Sequence, residues 1–227
     1  MTHLLKLRGV HKSFAHTEAL RGVSLEVQRG EVVAVTGPSG SGKSTLLHCA
    51  AGVLVPESGA VTFDGQRLDE LDEAARTRLR RREIGLVLQF GQLVPELTAV
   101  QNAALPLLLD GTDRRTARTA ALGWLERLGV AEVADQVPAE LSGGQAQRVA
   151  VARALVTGPR IVCADEPTGA LDTVATEVVL TQLLAAVRDA GSALLVVTHD
   201  NRVAARADRE VVLHDGALVG GQSVARS

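Results

Sequence analysis

Four short runs of apolar residues recur along the chain, and stretches with helical spacing of apolar positions lie between them. The runs are VVAVT at 32–36, IGLVLQ at 84–89, IVCAD at 161–165 and ALLVVTH at 193–199. Strands that are apolar throughout are buried on both faces, which is typical of a parallel sheet covered by helices. The pattern therefore predicts an α/β fold built on a parallel sheet.

Two other segments alternate between apolar and polar residues, and each contains an Asp-Gly pair. They are AVTFDGQRL at 60–68 and VVLHDGALV at 211–219. Asp-Gly between alternating runs is a strong signal for a β-hairpin with a two-residue turn. We therefore expect an antiparallel β portion that flanks the parallel sheet.

The strand signal is absent from residues 90–158, where helical spacing predominates. Thr98 is placed to cap a helix that runs to about Leu109, and Asp113 to cap a second helix that runs to about Leu128. These helices predict a helical subdomain inserted into the α/β core. Trp124 lies among apolar residues at helical spacing in the second helix, and we interpret it as a core residue of the insertion rather than a ligand-stacking ring.

The segment DELDEAARTRLRRRE at 69–83 contains the most basic run of the chain. Its acidic residues come first and its arginines last, which is the order that a helix dipole favours. We interpret the segment as a solvated helix. Contact with an anionic lipid or with a partner is the alternative.

The composition limits the classes of protein that fit this pattern. A chain of 227 residues, 46% of them hydrophobic, is long enough for a buried core in one or two domains. The formal charge of −2 argues against a general nucleic-acid binder. Cys49 and Cys163 lie in apolar surroundings without metal-ligand spacing, and we expect two reduced core thiols. No apolar stretch has the roughly 20 residues needed to cross a bilayer, and the first residues do not resemble a signal peptide.

A glycine-rich segment follows the first apolar run and precedes a helical pattern. GPSGSGKS at 37–44 matches the phosphate-binding pattern G-x-x-x-x-G-K-[ST] in the strand–loop–helix context that the pattern requires. Its backbone N–H groups are expected to face the phosphates, with Lys43 at the β and γ phosphates and the Ser44 hydroxyl on Mg²⁺. The predicted nucleotide-binding residues here are Gly37, Pro38, Ser39, Gly40, Ser41, Gly42, Lys43, Ser44 and Thr45.

Polar residues end or follow the other predicted strands, where ligands of open α/β sheets bind. Asp165 is predicted to hold Mg²⁺, and Glu166 to polarise the attacking water as the general base. His199 is placed to hydrogen-bond the γ-phosphate, although a structural histidine is the alternative for this residue taken alone. Gln89 is placed to contact both Mg²⁺ and the water. We expect these residues to converge on one site.

A second glycine-rich turn, LSGGQ at 141–145, begins a helical pattern about a hundred residues later. A helix N-terminus attracts anions, and Ser142 is placed to cap this helix. The first site has no evident residue to close it. Because this turn lies on the inserted helical subdomain, we expect it to cover the ATP of a second copy. Its predicted nucleotide-binding residues are Ser142, Gly143, Gly144 and Gln145.

Together these motifs resemble the ATP-binding cassette family, specifically the ATPase subunits of ABC transporters. The matching motifs are the Walker A motif at 37–45, the Q-loop Gln89, the signature LSGGQ, the Walker B motif IVCADE, the D-loop ALD at 170–172 and the H-loop His199. The resemblance implies a P-loop NTPase (RecA-like) fold that hydrolyses ATP with Mg²⁺. It also implies a head-to-tail dimer in which each ATP lies between the Walker A motif of one subunit and the signature of the other.

The resemblance carries further expectations. It implies that Phe14 stacks on adenine, where the family usually has tyrosine, and that Asp172 of the D-loop lies near the nucleotide; for Phe14 the alternative is a plug in the small β portion. The partner is expected to be a separate integral membrane permease, which places this chain in the cytoplasm, peripheral on the inner face of the cell membrane. The predicted organisation is a single ABC ATPase domain, 1–227, with an α/β core and antiparallel β portion at 1–89 and 159–227 and a helical subdomain at 90–158.

Within the family, three segments resemble the branch that serves macrolide export, lipoprotein release and cell division. They are RLRRREIGLVLQ, LVPELTAVQNAALPLLL and ADEPTGALD. Leu88, Phe90 and Gln101 depart from that branch. These residues are expected beside the groove that, in the family, accepts a cytoplasmic helix of the membrane subunit.

Three other functions are weighed against transport. The same cassette could drive a membrane signalling partner, and the residues do not separate that function from transport. A DNA-repair or translation ATPase would bring a long coiled coil or a second cassette, which this sequence lacks, so no nucleic-acid partner is expected. A small-molecule P-loop kinase leaves LSGGQ unexplained.

Overall fold

The computed structural model describes residues 3–15, 17–89, 91–169 and 171–222. They form two compact units. The first comprises Met1–Arg80, Cys163–Asp165 and Ala193–Ser227, and the second Arg81–Val162 and Glu166–Ser192. Phe90 and Ala170, which the sequence analysis placed beside the partner groove and in the D-loop, lie outside the described residues.

The strands, in chain order, are β1 Leu5–Phe14, β2 Thr17–Val27, β3 Val32–Thr36, β4 Ser58–Phe63, β5 Gln66–Arg67, β6 Ile84–Val87, β7 Ile161–Asp165, β8 Ala193–Val197, β9 Arg209–His214 and β10 Ala217–Gln222. The α-helices are α1 Lys43–Ala50, α2 Glu73–Glu83, α3 Ala99–Leu109, α4 Arg114–Arg127, α5 Gly143–Leu155, α6 Thr173–Asp189 and α7 Asn201–Ala204. Two short 3₁₀ helices span Ala131–Val133 and Pro138–Glu140.

The first unit contains the parallel sheet that the apolar runs predict. Strand β3 pairs in parallel with β8 and with β9, and every residue of β3 and β8 is buried. The strand order is β10-β9-β3-β8-β7, where this unit includes Cys163–Asp165 of β7. Because both faces of β3 and β8 are covered, their sequences are apolar without alternation.

A second, antiparallel sheet of the first unit has the order β2-β1-β4-β5. Its strands β4 and β5 are joined by Asp64 and Gly65, which have φ of 47° and 84°. Strands β9 and β10 are joined in the same way by Asp215 and Gly216, with φ of 47° and 76°. Positive φ at both turn residues is what Asp-Gly favours, and both predicted hairpins are confirmed.

The second unit is mainly helical, with α3, α4, α5 and α6 packed on one another and β6 next to β7 in the strand order. Thr98 caps α3 in a reciprocal capping box with Gln101, and Asp113 caps α4 by accepting from two backbone N–H groups. Both predicted helix starts are confirmed. Within the described part of 91–158 there is no strand.

Trp124 is a correction to the expected core of α4. Ala117, Ala121 and Leu125 are fully buried, whereas Trp124 is only half-buried. Its ring lies at the margin of the buried face, and the Arg127 guanidinium stands 5.0 Å from the ring centroid. One turn of helix separates the two residues, which places the cation over the ring.

The helix α2 is less solvated than its charges suggested. Arg76 is 7% exposed, pairs with Glu73 and donates to the Leu71 carbonyl at 2.9 Å. Arg80 donates to the Gly52 carbonyl at 2.8 Å. The interpretation as a solvated helix is therefore wrong for these two side chains, because backbone carbonyls of the same unit hold them.

In the second unit, the last arginines of α2 also have partners. Arg81 donates to the Leu109 carbonyl at 2.6 Å, and Arg82 pairs with the Asp110 carboxylate at 2.9 Å. Four of the five arginines of α2 thus bind groups of the same chain. The alternative, contact with an anionic lipid or a partner, stays a prediction.

Both cysteines are buried and free, as expected for core thiols. Burial raises the pKa of the Cys49 thiol to about 11 and that of Cys163 to about 12, because the thiolate would lose its hydration. Among the described helices, none combines the length and the apolar character that crossing a bilayer requires.

Candidate nucleotide-binding site

The glycine-rich loop of residues 37–45 lies in the first unit between β3 and α1. Helix α1 begins at Lys43, and its N-cap residue Gly42 has φ of 100° and offers no side-chain hydrogen bond to the first turn. The first backbone N–H groups of a helix have no partner within the helix, and they favour an anion when no side chain caps them. The loop therefore has the local structure that phosphate binding requires.

Lys43 is held by the loop itself. Its ammonium donates to the carbonyl oxygens of Gly37 and Pro38, at 2.8 Å each, and the residue is 8% exposed. Two short contacts at the beginning of the loop fix the charge beside the backbone that is predicted to bind phosphates. Such a compact charge is suited to anion binding in a confined space.

Ser44 and Asp165 are brought together within the first unit. The Ser44 hydroxyl donates to the Asp165 carboxylate at 3.2 Å, and Asp165 ends β7. A hydroxyl and a carboxylate oxygen are suitable Mg²⁺ ligands, and Mg²⁺ at phosphates is commonly held by only one or two carboxylates. No group of three or more His, Cys, Asp or Glu residues that could hold a metal exists among the described residues. The pair thus fits a cation that also binds phosphate oxygens.

Ser41 contributes a buried hydroxyl to the same loop. The residue is 3% exposed, and its Oγ has no hydrogen-bond partner within the described part of the chain. An unpaired buried hydroxyl is costly, and in native proteins it calls for an explanation such as a ligand or a water. A polar ligand at the loop is one explanation for this hydroxyl.

Two other predicted site residues of the first unit are exposed. His199 lies two residues beyond β8, and it adds electrostatically to the lowering of the Asp200 pKa, which is due mainly to the hydrogen bond from Arg202. Phe14 ends β1 with 48% of its surface exposed, and the Lys12 ammonium lies 5.7 Å from its ring centroid. Exposure at this level contradicts the alternative in which Phe14 plugs the small β portion.

The second unit brings Gln89 and Glu166 together around Gly169. A Cβ atom placed on Gly169 would lie 3.4 Å from Cβ of Glu166 and 3.6 Å from Nε2 of Gln89. Glu166 itself has φ of 43°, which is uncommon for a residue other than glycine. Strained backbone of this kind clusters at functional sites, where the surrounding structure maintains it.

The signature turn begins α5 with a reciprocal capping box. The Ser142 hydroxyl accepts from the Gln145 N–H at 3.2 Å, and the Gln145 side chain accepts from the Ser142 N–H at 2.9 Å. Ser142 and Gly143 are exposed. Cβ atoms placed on Gly143 and Gly144 would lie 3.3 Å from Leu171 and Ala175 respectively, so the turn packs closely on the start of α6.

Asp172 has a structural role that the sequence analysis did not anticipate. Its carboxylate caps α6 by accepting from the Ala175 N–H at 2.8 Å. An aspartate immediately before a helical pattern is the signal that would have predicted this cap. The residue is also exposed at the same end of α6 that packs on the signature turn.

Arg153 is another residue that sequence reasoning missed. From α5 it donates to the carbonyls of Gly91 and Gln92, at 2.7 and 2.9 Å, and burial lowers the pKa of its guanidinium. Gln147, also on α5, lies 3.5 Å from the Leu88 carbonyl. The signature helix therefore holds the backbone on both sides of Gln89. A single arginine within the apolar pattern VAVARAL was the available signal.

Comparison with known proteins places these residues in a family context. The family model described as "ABC transporter" matches residues 20–169. The lipoprotein-releasing system ATP-binding protein LolD of Shewanella frigidimarina is 42% identical over 219 residues, covering 95% of this chain and 92% of LolD. LolD of Novosphingobium aromaticivorans is 46% identical over 219 residues, covering 95% and 98%.

Solved structures give a similar result. The ATP-binding cassette MJ0796 in a dimeric post-hydrolysis state with ADP and Pi superposes with a TM-score of 0.91 at 38% identity, covering 98% of this chain and 100% of that chain. A second dimeric structure of MJ0796, described as a bacterial ABC transporter cassette, has the same TM-score, identity and coverage. The similarity therefore extends over both the sequence and the fold.

Proposed function

This chain belongs to the ABC transporter family, and from that membership we propose that it drives a separate membrane protein by binding and hydrolysing ATP. It is an ABC ATPase that binds ATP and releases ADP and phosphate. The observation that carries the assignment of its site is the 3.2 Å contact between Ser44 and Asp165 beside the Walker A loop.

We propose that the Walker A residues bind the phosphates of ATP. The uncapped N-terminus of α1 and the buried ammonium of Lys43 support this role. Ser44 and Asp165 would hold Mg²⁺, with Gln89 as a further ligand, and the ion would neutralise charge on the phosphates. Phe14 would stack on the adenine, and its exposed ring supports this assignment.

Glu166, the next residue in the chain after Asp165, is proposed as the general base. It accepts a proton from water as the water oxygen forms a bond to the γ-phosphorus, and the bond from that phosphorus to the ADP oxygen breaks. Gln89, which lies near Glu166 around Gly169, orients the water, and His199 donates a hydrogen bond to the γ-phosphate. General-base help of this kind contributes about 10²- to 10⁴-fold to a rate.

The signature turn is proposed to act on the ATP of a second copy. Its helix N-terminus is exposed, and roughly half a positive charge at that end favours an anion. Ser142, Gly143, Gly144 and Gln145 would contact the phosphates of the partner's ATP, with Asp172 beside them. Dimeric structures of the similar cassette MJ0796 support a homodimer here.

The second unit has an apolar groove that we propose as the docking site for a membrane permease. Its volume is about 390 Å³, and it lies along α3 and the start of α4. It is lined by Leu97, Val100, Gln101, Ala104, Leu105, Leu108, Arg114 and Arg118. A cytoplasmic helix of the permease would lay its apolar face here, which would hold this chain on the inner face of the cell membrane. The names of the LolD relatives suggest a lipoprotein-releasing system as the setting.

The dimer that traps ATP can be tested with Glu166→Gln. The substitution removes the base and leaves the shape of the side chain, so ATP stays intact and the two copies remain closed on it. Size-exclusion chromatography with light scattering should show a dimer with MgATP and a monomer with ADP.

The matched control is Glu126→Gln, an exposed position on α4, which should turn over ATP and show no stable dimer. A Glu166→Gln protein that stays monomeric at saturating MgATP would contradict the proposed dimer.

A further inference from the structure

The Walker A loop has close backbone neighbours as well as phosphate-binding groups. A Cβ atom on Gly37 would lie 2.0 Å from the carbonyl oxygen of Leu213 on β9, and one on Gly42 would lie 2.2 Å from that of Ala19 on β2. In proteins, a Cβ atom essentially never lies closer than 3.0 Å to a heavy atom of a residue that is not its chain neighbour. These two positions therefore require glycine because the neighbouring backbone leaves no room for a side chain, independently of any contact with phosphates.

Gly216, in the turn between β9 and β10, joins the loop to β2 through its own backbone. Its N–H donates to the Ser41 carbonyl at 3.0 Å, and its carbonyl accepts from the Arg21 N–H at 2.7 Å. Gly216 is buried, and a Cβ atom there would lie 2.9 Å from the Ala19 carbonyl oxygen. The Ala19 carbonyl thus lies against both Gly42 and Gly216, with no room for a methyl group on either.

The other Asp-Gly hairpin shows that turn geometry alone does not require this packing. Asp64 and Gly65 have φ of 47° and 84°, close to the 47° and 76° of Asp215 and Gly216. Gly65 is exposed, and a Cβ atom on it would have nothing within 4 Å. The two turns have the same sequence and the same backbone conformation, but only the second contacts the nucleotide-binding loop.

We propose that the β9–β10 hairpin is a positioning element for the nucleotide-binding loop and that Gly216 is its positioning residue. The hydrogen bond to the Ser41 carbonyl and the contact through Ala19 fix the loop backbone from the side. Donors held in place in advance bind an anion without the cost of reorganisation. This inference rests on the proposed role of residues 37–45 in binding the phosphates of ATP.

The two hairpins provide a matched pair of substitutions, Gly216→Ala and Gly65→Ala. Both put alanine into the same left-handed conformation, which lowers the stability of the fold in both, and Gly216→Ala adds the close approach to the Ala19 carbonyl. Only in Gly216→Ala does the added methyl group approach the Ala19 carbonyl, which also contacts the loop at Gly42. We expect this variant to raise the KM for ATP about 10- to 100-fold, because donors that are no longer held in place bind the phosphates less tightly. The kcat should change less, and Gly65→Ala should leave the KM unchanged.

A third variant, Lys43→Ala, separates the two proposals. If Lys43→Ala binds ATP as the wild type does, the proposed function of the loop fails. If Lys43→Ala loses ATP binding while the two glycine variants show the same KM, only the role of the hairpin fails. If the KM rises in both glycine variants in proportion to their loss of stability, the effect is purely structural and the inference is overturned.

Hydrogen exchange on the wild-type protein tests the inference even if Gly216→Ala does not fold. A non-hydrolysable ATP analogue should slow amide exchange in residues 211–219, because the occupied loop holds the Gly216 N–H more firmly. Residues 61–68, which contain the other hairpin, should exchange at the same rate with and without the analogue. Equal slowing of both segments, or of neither, would refute the role of the second hairpin.

Discussion

Asn102 links α3 to the segment that precedes it through several hydrogen bonds. It is fully buried on α3, its amide nitrogen lies 3.0 and 2.9 Å from the carbonyls of Val94 and Leu97, and its oxygen accepts from the Val94 N–H at 2.7 Å. This side chain therefore adds hydrogen bonds to the irregular segment ahead of α3, which itself makes a bond from the Leu97 N–H to the Val94 carbonyl at 3.2 Å. Without the Asn102 amide, the Val94 N–H and the Leu97 carbonyl would lose this hydrogen-bond partner.

Asn102→Ala should lower the free energy of unfolding by about 2–4 kcal/mol, because several backbone groups lose a partner and each such loss costs about 1–3 kcal/mol. Denaturant titration followed by circular dichroism measures the change. Asn201→Ala, at an exposed position that begins α7, is the matched control and should stay within about 0.5 kcal/mol of the wild type. Equal losses in the two variants would mean that the Asn102 hydrogen bonds contribute nothing to stability.

The predicted site residues differ in how local their signals are. The Walker A loop and the cap at Ser142 could be predicted because motif and helix start lie within a few residues of each other. The steric need for glycine at 37 and 42 could not be predicted, because Leu213 and Ala19 approach the loop from distant parts of the chain. Contacts between remote backbone segments leave no pattern in one sequence.

The same distinction holds for the elements. Hairpins and capped helices were predicted correctly because turn and cap chemistry act over three or four residues. Helix α2 was misjudged because the acceptor of Arg80 is the carbonyl of Gly52, which lies 28 residues away. Trp124 was misjudged because helical spacing identifies a face but not where that face stops being buried.

Helices α3 and α4 carry the proposed docking groove, and α3 offers a test with a control on the same helix. The double substitution Leu105→Glu and Leu108→Glu puts two carboxylates into the groove. It should weaken binding of the membrane partner by about 100-fold or more, because an unpaired charge in an apolar contact costs about 3 kcal/mol. Pull-down from detergent-solubilised membranes measures the loss, and ATP binding by the isolated subunit should be unchanged.

Leu109→Glu is the control for that experiment. Leu109 is 60% exposed at the end of α3 and does not line the groove. The Leu109→Glu protein should retain the membrane partner. If the wild type, the double variant and Leu109→Glu all recover the partner equally, the permease docks on another surface.

At the scale of the whole molecule, the proposed assembly of two copies would explain the two glycine-rich turns. In a head-to-tail dimer with two-fold symmetry, each nucleotide lies between the Walker A loop of one copy and the signature turn of the other. A defect in the Walker A loop then damages the site on its own copy, whereas a defect in the signature turn damages the site on the other copy. A mixture of the two defective proteins should therefore regain some activity.

The mixture proposed here combines Lys43→Ala with Ser142→Asp. Lys43→Ala weakens the Walker A loop, whereas aspartate at 142 keeps a good helix cap but repels phosphate. Each variant alone should be inactive. Random pairing at equal amounts makes about half of the dimers mixed, and each mixed dimer has one intact site, so roughly a quarter of all sites are restored. Steady-state ATP hydrolysis measured as the ratio is varied should peak near equal amounts.

A second mixture distinguishes restoration in a shared site from simple stabilisation of one variant by the other. Lys43→Ala damages the loop and Asp165→Asn damages the proposed Mg²⁺ ligand on the same side of the site. Neither site of their mixed dimer then has an intact Walker A side, so the mixture should stay inactive at every ratio. Activity that appears in the first mixture and not in the second requires two copies to contribute to one site. If neither mixture is active while the wild type turns over ATP under the same conditions, the signature turn serves its own chain, and the head-to-tail dimer is wrong.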